Sequence, residues 1–302
     1  MDRLAVIDLG SNTFHLLIVE MEGDCRFRTL YRQREFTRLS EGGIDHILDE
    51  RIDAGLATLK VFRQKLDEYG VTNVRAVGTA ALRKANNRDI FLSQANDILG
   101  INIEVIDGNL EAHYIYQGIT MLDEFKSGTH LIMDIGGGST EFILIKEGKK
   151  LWAASFVLGV GVLQNLFHHS DPISGQELDA LLQHINSVLR DMLPVVADHP
   201  PLSLSGASGS FEVLQSMTGD QISHDSVSSV APDRFLKIAD KIITSTEAQR
   251  YGMAGIPAER VKLIVVGMAL KKAVFEMIRP ASILVSPYAL KEGVLREMMG
   301  CS

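Results

Sequence analysis

Two short segments of the chain share one pattern, and this repeat limits the possible folds more than any other feature. Residues 6–19, VIDLGSNTFHLLIV, and residues 131–145, LIMDIGGGSTEFILI, each contain an apolar run with an aspartate, a turn rich in glycine or hydroxyl side chains, and a second apolar run. Short apolar runs bounded by turn signals are typical of buried β-strands. The pattern therefore predicts a strand–turn–strand segment in each half of the chain.

The segments that follow these two also correspond, which indicates an internal duplication. Both halves predict, in the same order, a third strand, a helix, a strand that opens into small residues, and a later strand. These are residues 25–31, 49–69, 74–82 and 101–106 in the first half, and residues 151–156, a helix capped by Ser174, residues 202–211 and residues 261–266 in the second.

Two α/β units of this kind predict two domains with a central cleft. The turns after the first strands are expected to open into that cleft, because ligands favour domain interfaces and sheet switch points. Residues 1–120 plus 289–302 are expected to form domain I, and residues 121–288 domain II. A chain of 302 residues is long enough to bury a core in each.

Composition excludes several classes of function. The chain has 46% hydrophobic and 23% charged residues and a net charge of −8, which is ordinary for a globular protein and argues against broad nucleic-acid binding. No apolar run approaches the length of a membrane span, and no signal peptide is expected. We therefore expect a cytoplasmic protein without a membrane partner, with Cys25 and Cys301 as free thiols.

The two turns predict phosphate binding. Neither has the lysine and the following helix of a Walker A loop, and Gly159-Val160-Gly161 is only an accidental match to a dinucleotide-binding pattern. Glycines let backbone N–H groups approach an anion, and hydroxyl side chains add donors. The aspartate at each turn would repel a phosphate unless a divalent cation lay between them, and Mg²⁺ suits such a set of ligands.

Longer stretches carry a resemblance to a known family: AVIDLGSNTFHLL, GTAALRKANN, EVIDGNLEAHYIYQGI, LIMDIGGGSTEFILI and SPYALKEGVL. In this order, they are similar to the exopolyphosphatase/guanosine pentaphosphate phosphohydrolase (Ppx/GppA) family of the actin, hsp70 and sugar-kinase superfamily. The resemblance implies a duplicated, ribonuclease H-like (actin-like ATPase) α/β fold. It also implies the short, two-domain form of the family, without the helical C-terminal domain of long members.

The resemblance implies an enzyme that hydrolyses terminal phosphoanhydride bonds of inorganic polyphosphate, of guanosine pentaphosphate, or of both. Its expected cofactor is Mg²⁺ or another divalent cation, and its expected assembly is a homodimer. Glu111 matches the catalytic glutamate that orients or deprotonates the attacking water. The other implied residues are Glu141 for catalysis, Asp8, Asp134 and Glu141 for the metal, and Ser11, Asn12, Thr13, Arg83, Gly136, Gly137, Gly138, Ser139 and Ser208 for phosphate.

Departures from the family pattern keep an alternative open. In residues 258–270, AERVKLIVVGMAL, Lys262 and Leu263 replace small and acidic positions, and Lys291 stands where arginine is usual. The altered stretch favours a sensor that binds guanosine penta- or tetraphosphate, or polyphosphate, with little catalysis. The intact acidic residues favour the hydrolase, which is the main hypothesis. His15, in a predicted strand, is expected to be packed or hydrogen-bonded.

Overall fold

The computed structural model describes four stretches of the chain: residues 2–23, 25–207, 209–218 and 226–301. Among these residues, no helix combines the length and the apolar character needed to cross a bilayer. Contacts divide the chain into a first unit, Met1–Gly118 with Leu290–Ser302, and a second unit, Ile119–Ala289. Each unit has a mixed β-sheet with helices, so the predicted α/β class is confirmed.

The first unit is built around a five-stranded sheet. Its elements are β1 (Arg3–Leu9), β2 (Phe14–Met21), β3 (Phe27–Glu35), α1 (Asp49–Glu68), β4 (Asn73–Gly78), α2 (Ala80–Lys84), α3 (Arg88–Leu99), β5 (Ile103–Val105), α4 (Gly108–Ile119) and α12 (Leu290–Met298). The strand order is β3-β2-β1-β4-β5. Helix α1 was expected from its apolar spacing, and that face is buried, with Leu59, Phe62 and Leu66 fully inside the core.

The second unit repeats this plan. Its elements are β6 (Thr129–Ile135), β7 (Thr140–Lys146), β8 (Lys149–Phe156), α5 (Val160–Phe167), α6 (Gly175–Val188), α7 (Met192–Asp198), β9 (Ser203–Gly206), α8 (Gly209–Thr218), β10 (Ser228–Val230), α9 (Pro232–Ile243), α10 (Glu247–Tyr251), α11 (Ile264–Ile278) and β11 (Ser282–Val285). The strand order β8-β7-β6-β9-β11 matches that of the first sheet, and β10 is added at the edge. The predicted duplication is confirmed.

One predicted strand is wrong. Residues 261–266 form a turn and the start of α11, and the strand expected there is β11, after the helix. Helix α11 is buried over most of its length, from Ile264 to Leu270 without interruption. When every residue of a short run is apolar, the run shows no periodicity. It therefore cannot be assigned from its sequence to a buried strand or to a buried helix.

The expectation of two free thiols is also wrong. Cys25, between β2 and β3, forms a disulfide with Cys301, just after α12, across a sequence separation of 276 residues. Both cysteines belong to the first unit, because the chain returns there through α12. Sequence spacing alone could not show this, since the pairing depends on where the C-terminal helix packs.

Removing this disulfide is expected to lower stability. For Cys301→Ser, we expect the free energy of unfolding to fall by about 2–5 kcal/mol, because the cross-link restricts the unfolded chain. Urea denaturation without reductant measures the change. Wild-type protein with reductant should then match the variant, and the variant should not respond to reductant. Equal stability of the two proteins, with two titratable thiols in the wild type, would contradict this pairing.

Candidate functional site

The turn at residues 136–139 joins β6 to β7 in the second unit. The Gly136 N–H donates to the Ser139 carbonyl at 2.9 Å. On the other side, α5 begins against the turn: the Val160 N–H donates to the Gly136 carbonyl at 3.0 Å, and the Gly161 N–H donates to the Gly137 carbonyl at 2.9 Å. Two carbonyl groups of the turn therefore face the start of α5.

Because a trans peptide directs its C=O and its N–H to opposite sides, the N–H groups of Gly137 and Gly138 point away from α5. Within the described part of the chain, neither these groups nor the Ser139 N–H has a hydrogen-bond acceptor. Successive backbone N–H groups that face one way are a preformed site for an anion. Two of the predicted phosphate residues, Gly137 and Gly138, thus present their N–H groups on the side of the turn away from α5.

Gly159 is a functional candidate that the sequence interpretation missed. A Cβ atom at this position would overlap the Gly137 carbonyl and the backbone of Gly138. Only glycine allows the start of α5 to approach the turn so closely. Residues 159–161, excluded as a dinucleotide motif, therefore support the turn. The signal for this role was the glycine itself, but the contact depends on tertiary structure.

The turn after β1 in the first unit is held in the same way. The Gly10 N–H donates to the Thr13 carbonyl at 3.0 Å. The carbonyls of Ser11 and Asn12 accept, each at 3.0 Å, from the N–H groups of Ser40 and Arg38, respectively. Residues 38–40, after β3, thus hydrogen-bond to this turn as the start of α5 does to the turn of the second unit.

The predicted phosphate donors Ser11 and Asn12 also connect this turn to its surroundings. The buried Ser11 Oγ accepts from the Ala81 N–H at 3.0 Å, and Asn12 Oδ1 accepts from Ser40 Oγ at 3.1 Å. In both contacts the side chain accepts, so neither contact uses the Ser11 O–H or the Asn12 amide N–H groups. These side chains fix the turn and still carry donors.

Asp134 and Glu141 lie directly opposite each other on β6 and β7. Opposed residues of antiparallel strands extend from the same face of a sheet. Glu141 is 1% exposed, and its Oε1 accepts a hydrogen bond from Ser155 Oγ on β8 at 2.7 Å. The predicted proximity of Glu141 to the second turn follows from this register, since β7 begins at the end of that turn.

These two carboxylates are a suitable donor set for Mg²⁺. This ion commonly uses one or two carboxylates together with waters and substrate phosphates. Among the residues the structure describes, no group of three or more His, Cys, Asp or Glu side chains is arranged to hold a metal by itself. Asp134 and Glu141 are the candidate carboxylate ligands for such a cation. Asp8 has the equivalent position in the first unit, opposite His15.

Glu111 is placed by the start of α4. Asp107 Oδ1 accepts from the Leu110 N–H at 2.8 Å, which caps the helix one turn before Glu111. The Glu111 side chain is largely buried, and Arg83 Nη1 donates to its Oε2 at 3.1 Å and to the Ile106 carbonyl at 2.7 Å. Arg83, predicted as a phosphate ligand, thus also contacts the Glu111 carboxylate.

A third predicted phosphate segment is GASGS, residues 206–210, which contains Ser208 and is called the third loop; α8 begins in it at Gly209. Ser208 lies outside the described residues. The Arg260 guanidinium packs directly against Gly209, where a Cβ would overlap it. Lys271 on α11 is completely buried over the Phe211 ring, and burial, followed by the nearby Arg260 charge, lowers the pKa of Lys271 well below its ordinary value. Arg260, in the altered stretch, and Lys271, directly after it, thus lie close to the start of α8.

The chain is similar in sequence to a curated pyrophosphatase and to an exopolyphosphatase of known structure. A guanosine-5′-triphosphate,3′-diphosphate pyrophosphatase from Vibrio parahaemolyticus is 31% identical over 98% of this chain, which spans only 59% of that relative's length. An exopolyphosphatase structure from Cytophaga hutchinsonii is 34% identical, with a TM-score of 0.94 over 100% of this chain and 99% of that one.

The fold has further solved examples. A PPX-GPPA enzyme structure from Aquifex aeolicus, at 24% identity, has a TM-score of 0.81 and covers 98% of this chain and 99% of that one. The actin-like ATPase fold implied by the resemblance is therefore confirmed. The model of the Ppx/GppA phosphatase family matches residues 17–301. The duplicated fold, its acid-bearing turns and this match together establish that the chain belongs to the Ppx/GppA phosphatase family.

Proposed function

We propose that the chain hydrolyses terminal phosphoanhydride bonds, releasing orthophosphate from inorganic polyphosphate, from guanosine pentaphosphate, or from both. The observation that carries this proposal is the turn at residues 136–139, whose N–H groups face away from α5, next to the opposed carboxylates Asp134 and Glu141. The names of the relatives support both substrates: the Cytophaga protein is an exopolyphosphatase, and the Vibrio protein is the pyrophosphatase described above.

In the proposed reaction, water attacks the terminal phosphorus and the bond to the bridging oxygen breaks. The shortened phosphate chain leaves with that oxygen, and Glu111 takes the proton of the attacking water. Arg83 holds the Glu111 carboxylate in place through the 3.1 Å contact. The N–H groups of the turn bind phosphate oxygens. Asp134 and Glu141 would hold Mg²⁺, which would supply neutralisation of the phosphate charge.

Phosphate release tests the proposal. Purified protein with Mg²⁺ is incubated separately with long-chain polyphosphate and with guanosine pentaphosphate. Release of orthophosphate from either supports hydrolysis, and the relative rates assign the preferred substrate. No release from either substrate would refute it.

A sensor with little catalysis is the second candidate. Arg260 favours it, because its guanidinium packs against Gly209 at the third loop and it lies in the stretch that departs from the family pattern. In the same experiment, calorimetric binding of guanosine tetraphosphate, guanosine pentaphosphate or polyphosphate without phosphate release would support the sensor.

Ser155→Ala tests the proposed metal ligands. Ser155 orients Glu141 through the 2.7 Å hydrogen bond, and loss of such a support is expected to weaken Mg²⁺ binding by about 10–100-fold. The half-saturating Mg²⁺ concentration for phosphate release measures the change. Ser187→Ala, at an exposed position of α6, is the matched control and should behave as wild type. An unchanged Mg²⁺ requirement in Ser155→Ala would argue against Glu141 as a metal ligand.

We also propose a cytoplasmic homodimer, as the family resemblance implies. Light scattering on the purified protein tests the dimer. The Cys25–Cys301 disulfide bears on the location, because such bonds persist in oxidising compartments. Thiol trapping in intact cells decides this point: cysteines that are reduced in cells and form the disulfide only after purification agree with the cytoplasm, and a pair already oxidised in cells contradicts it.

A further inference from the structure

The duplicated sheets contain two equivalent rows of side chains, each running across three neighbouring strands. By strand register, these rows are Asp134–Glu141–Ser155 in the second unit and Asp8–His15–Arg34 in the first. In each row the members extend from one face of the sheet, because directly opposed residues share a face. The rows start on equivalent strands, β1 and β6, each beside an equivalent turn, but their side chains differ in chemistry.

The second unit's row offers two carboxylates and a hydroxyl group, which is a donor set for a cation. The first unit's row offers one carboxylate, an imidazole and a guanidinium group. Its charge is less suited to a cation and better suited to an anion. The two units therefore share the same strand register, and the side chains at the equivalent positions of the row differ. This asymmetry raises the question of what the imidazole does in the position of Glu141.

One contact of His15, with Thr13, bears on this question. His15 Nε2 lies 3.2 Å from Thr13 Oγ1, at the end of the first turn. A threonine hydroxyl has one proton and two lone pairs. If the imidazole N–H donates to Oγ1, the threonine proton is directed elsewhere. If the imidazole accepts, the threonine proton is used by His15 and cannot reach a ligand.

We propose that His15 is a positioning residue for phosphate binding: its Nε2–H donates to Thr13 Oγ1, so that the Thr13 hydroxyl donates to a phosphate oxygen. This inference rests on the proposed function, because it takes the first turn as a phosphate loop. It assigns a role to a side chain that sequence analysis expected only to be packed or hydrogen-bonded. A glutamine at position 15 can place its side-chain amide N–H where the imidazole has its Nε2–H, whereas a leucine has no N–H in its side chain.

A double-mutant cycle tests this role. Because His15→Leu no longer fixes the direction of the Thr13 hydroxyl, which then loses its hydrogen bond to the charged phosphate, it is expected to raise KM for polyphosphate about tenfold, with little change in kcat. His15→Gln should stay within about threefold of wild type. In a Thr13→Val background, His15→Leu should change KM by less than about twofold, because the group it positions is gone. Thermal denaturation of every variant shows whether a change in KM comes from loss of the folded state.

Binding of methylenediphosphonate, a phosphoanhydride analogue that is not hydrolysed, separates this inference from the proposed function. Its Kd in the presence of Mg²⁺ is measured calorimetrically for the same variants. If wild type binds the analogue but releases no phosphate, the proposed hydrolysis fails, and the cycle in Kd still tests His15. Additive effects of the two substitutions, a glutamine variant as weak as the leucine variant, or no binding by wild type would overturn the inference.

Discussion

Glu111→Gln is expected to lower kcat for phosphate release by about 10²–10⁴-fold, the usual contribution of a general base. Glutamine has nearly the same shape as glutamate, and its amide oxygen can still accept from Arg83. The substitution therefore removes the proton acceptor and leaves the helix start and the phosphate-binding turns intact. KM and the affinity for polyphosphate should change little. Steady-state kinetics and calorimetry measure the two quantities separately.

Glu50→Gln is the matched control for this variant. Glu50 lies in the first turn of α1, as Glu111 lies in the first turn of α4, but it is exposed. It should keep wild-type activity. A Glu111→Gln protein that turns over at close to the wild-type rate would remove Glu111 from the chemical step. Loss of substrate binding in that variant would instead assign Glu111 to binding.

Gly159→Ala is expected to produce the second large effect. The new methyl group would overlap the Gly137 carbonyl, so either α5 or the turn must move. A shift of about 1 Å in a group that positions substrate can cost about 100-fold in rate. We therefore expect a loss of about this size in kcat/KM for polyphosphate, together with weaker phosphate binding. Kinetics and calorimetry of the folded variant measure both.

Gly175→Ala makes the same chemical change at the start of α6, where the new methyl group meets nothing within 4 Å. It should retain activity and stability. Circular dichroism of both variants shows whether Gly159→Ala remains folded. A folded Gly159→Ala protein with wild-type kcat/KM would mean that the contact between α5 and the turn is not needed for activity.

The duplicated fold was predictable because its signals are local. The two acid-bearing turns, the first strands and the cap at Ser174 all depend on residues close together in sequence. The capping box at Ser174 and the register of Asp134 with Glu141 agree with that interpretation. The start of the helix at residues 264–278 was assigned to a strand for the opposite reason: its burial on several sides is a property of packing, and packing is not visible in a short apolar run.

The site was only partly predictable for the same reason. The family motif indicated the turns and their acidic residues, but it could not indicate which groups hold them. Gly159 supports a turn more than twenty residues earlier in the chain. Arg83 was predicted only as a phosphate ligand, and it contacts Glu111. His15 and Glu141 occupy equivalent positions, which became evident only from the strand register. Contacts between distant segments decide all three roles.

Hydrolysis in ¹⁸O-labelled water tests the central claim most directly. The claim is that water attacks the terminal phosphorus of guanosine pentaphosphate or polyphosphate. Mass spectrometry should find one solvent oxygen in each released orthophosphate and none in the guanosine tetraphosphate formed in the same step. Label in the tetraphosphate, or the absence of any released orthophosphate, would contradict the proposed reaction.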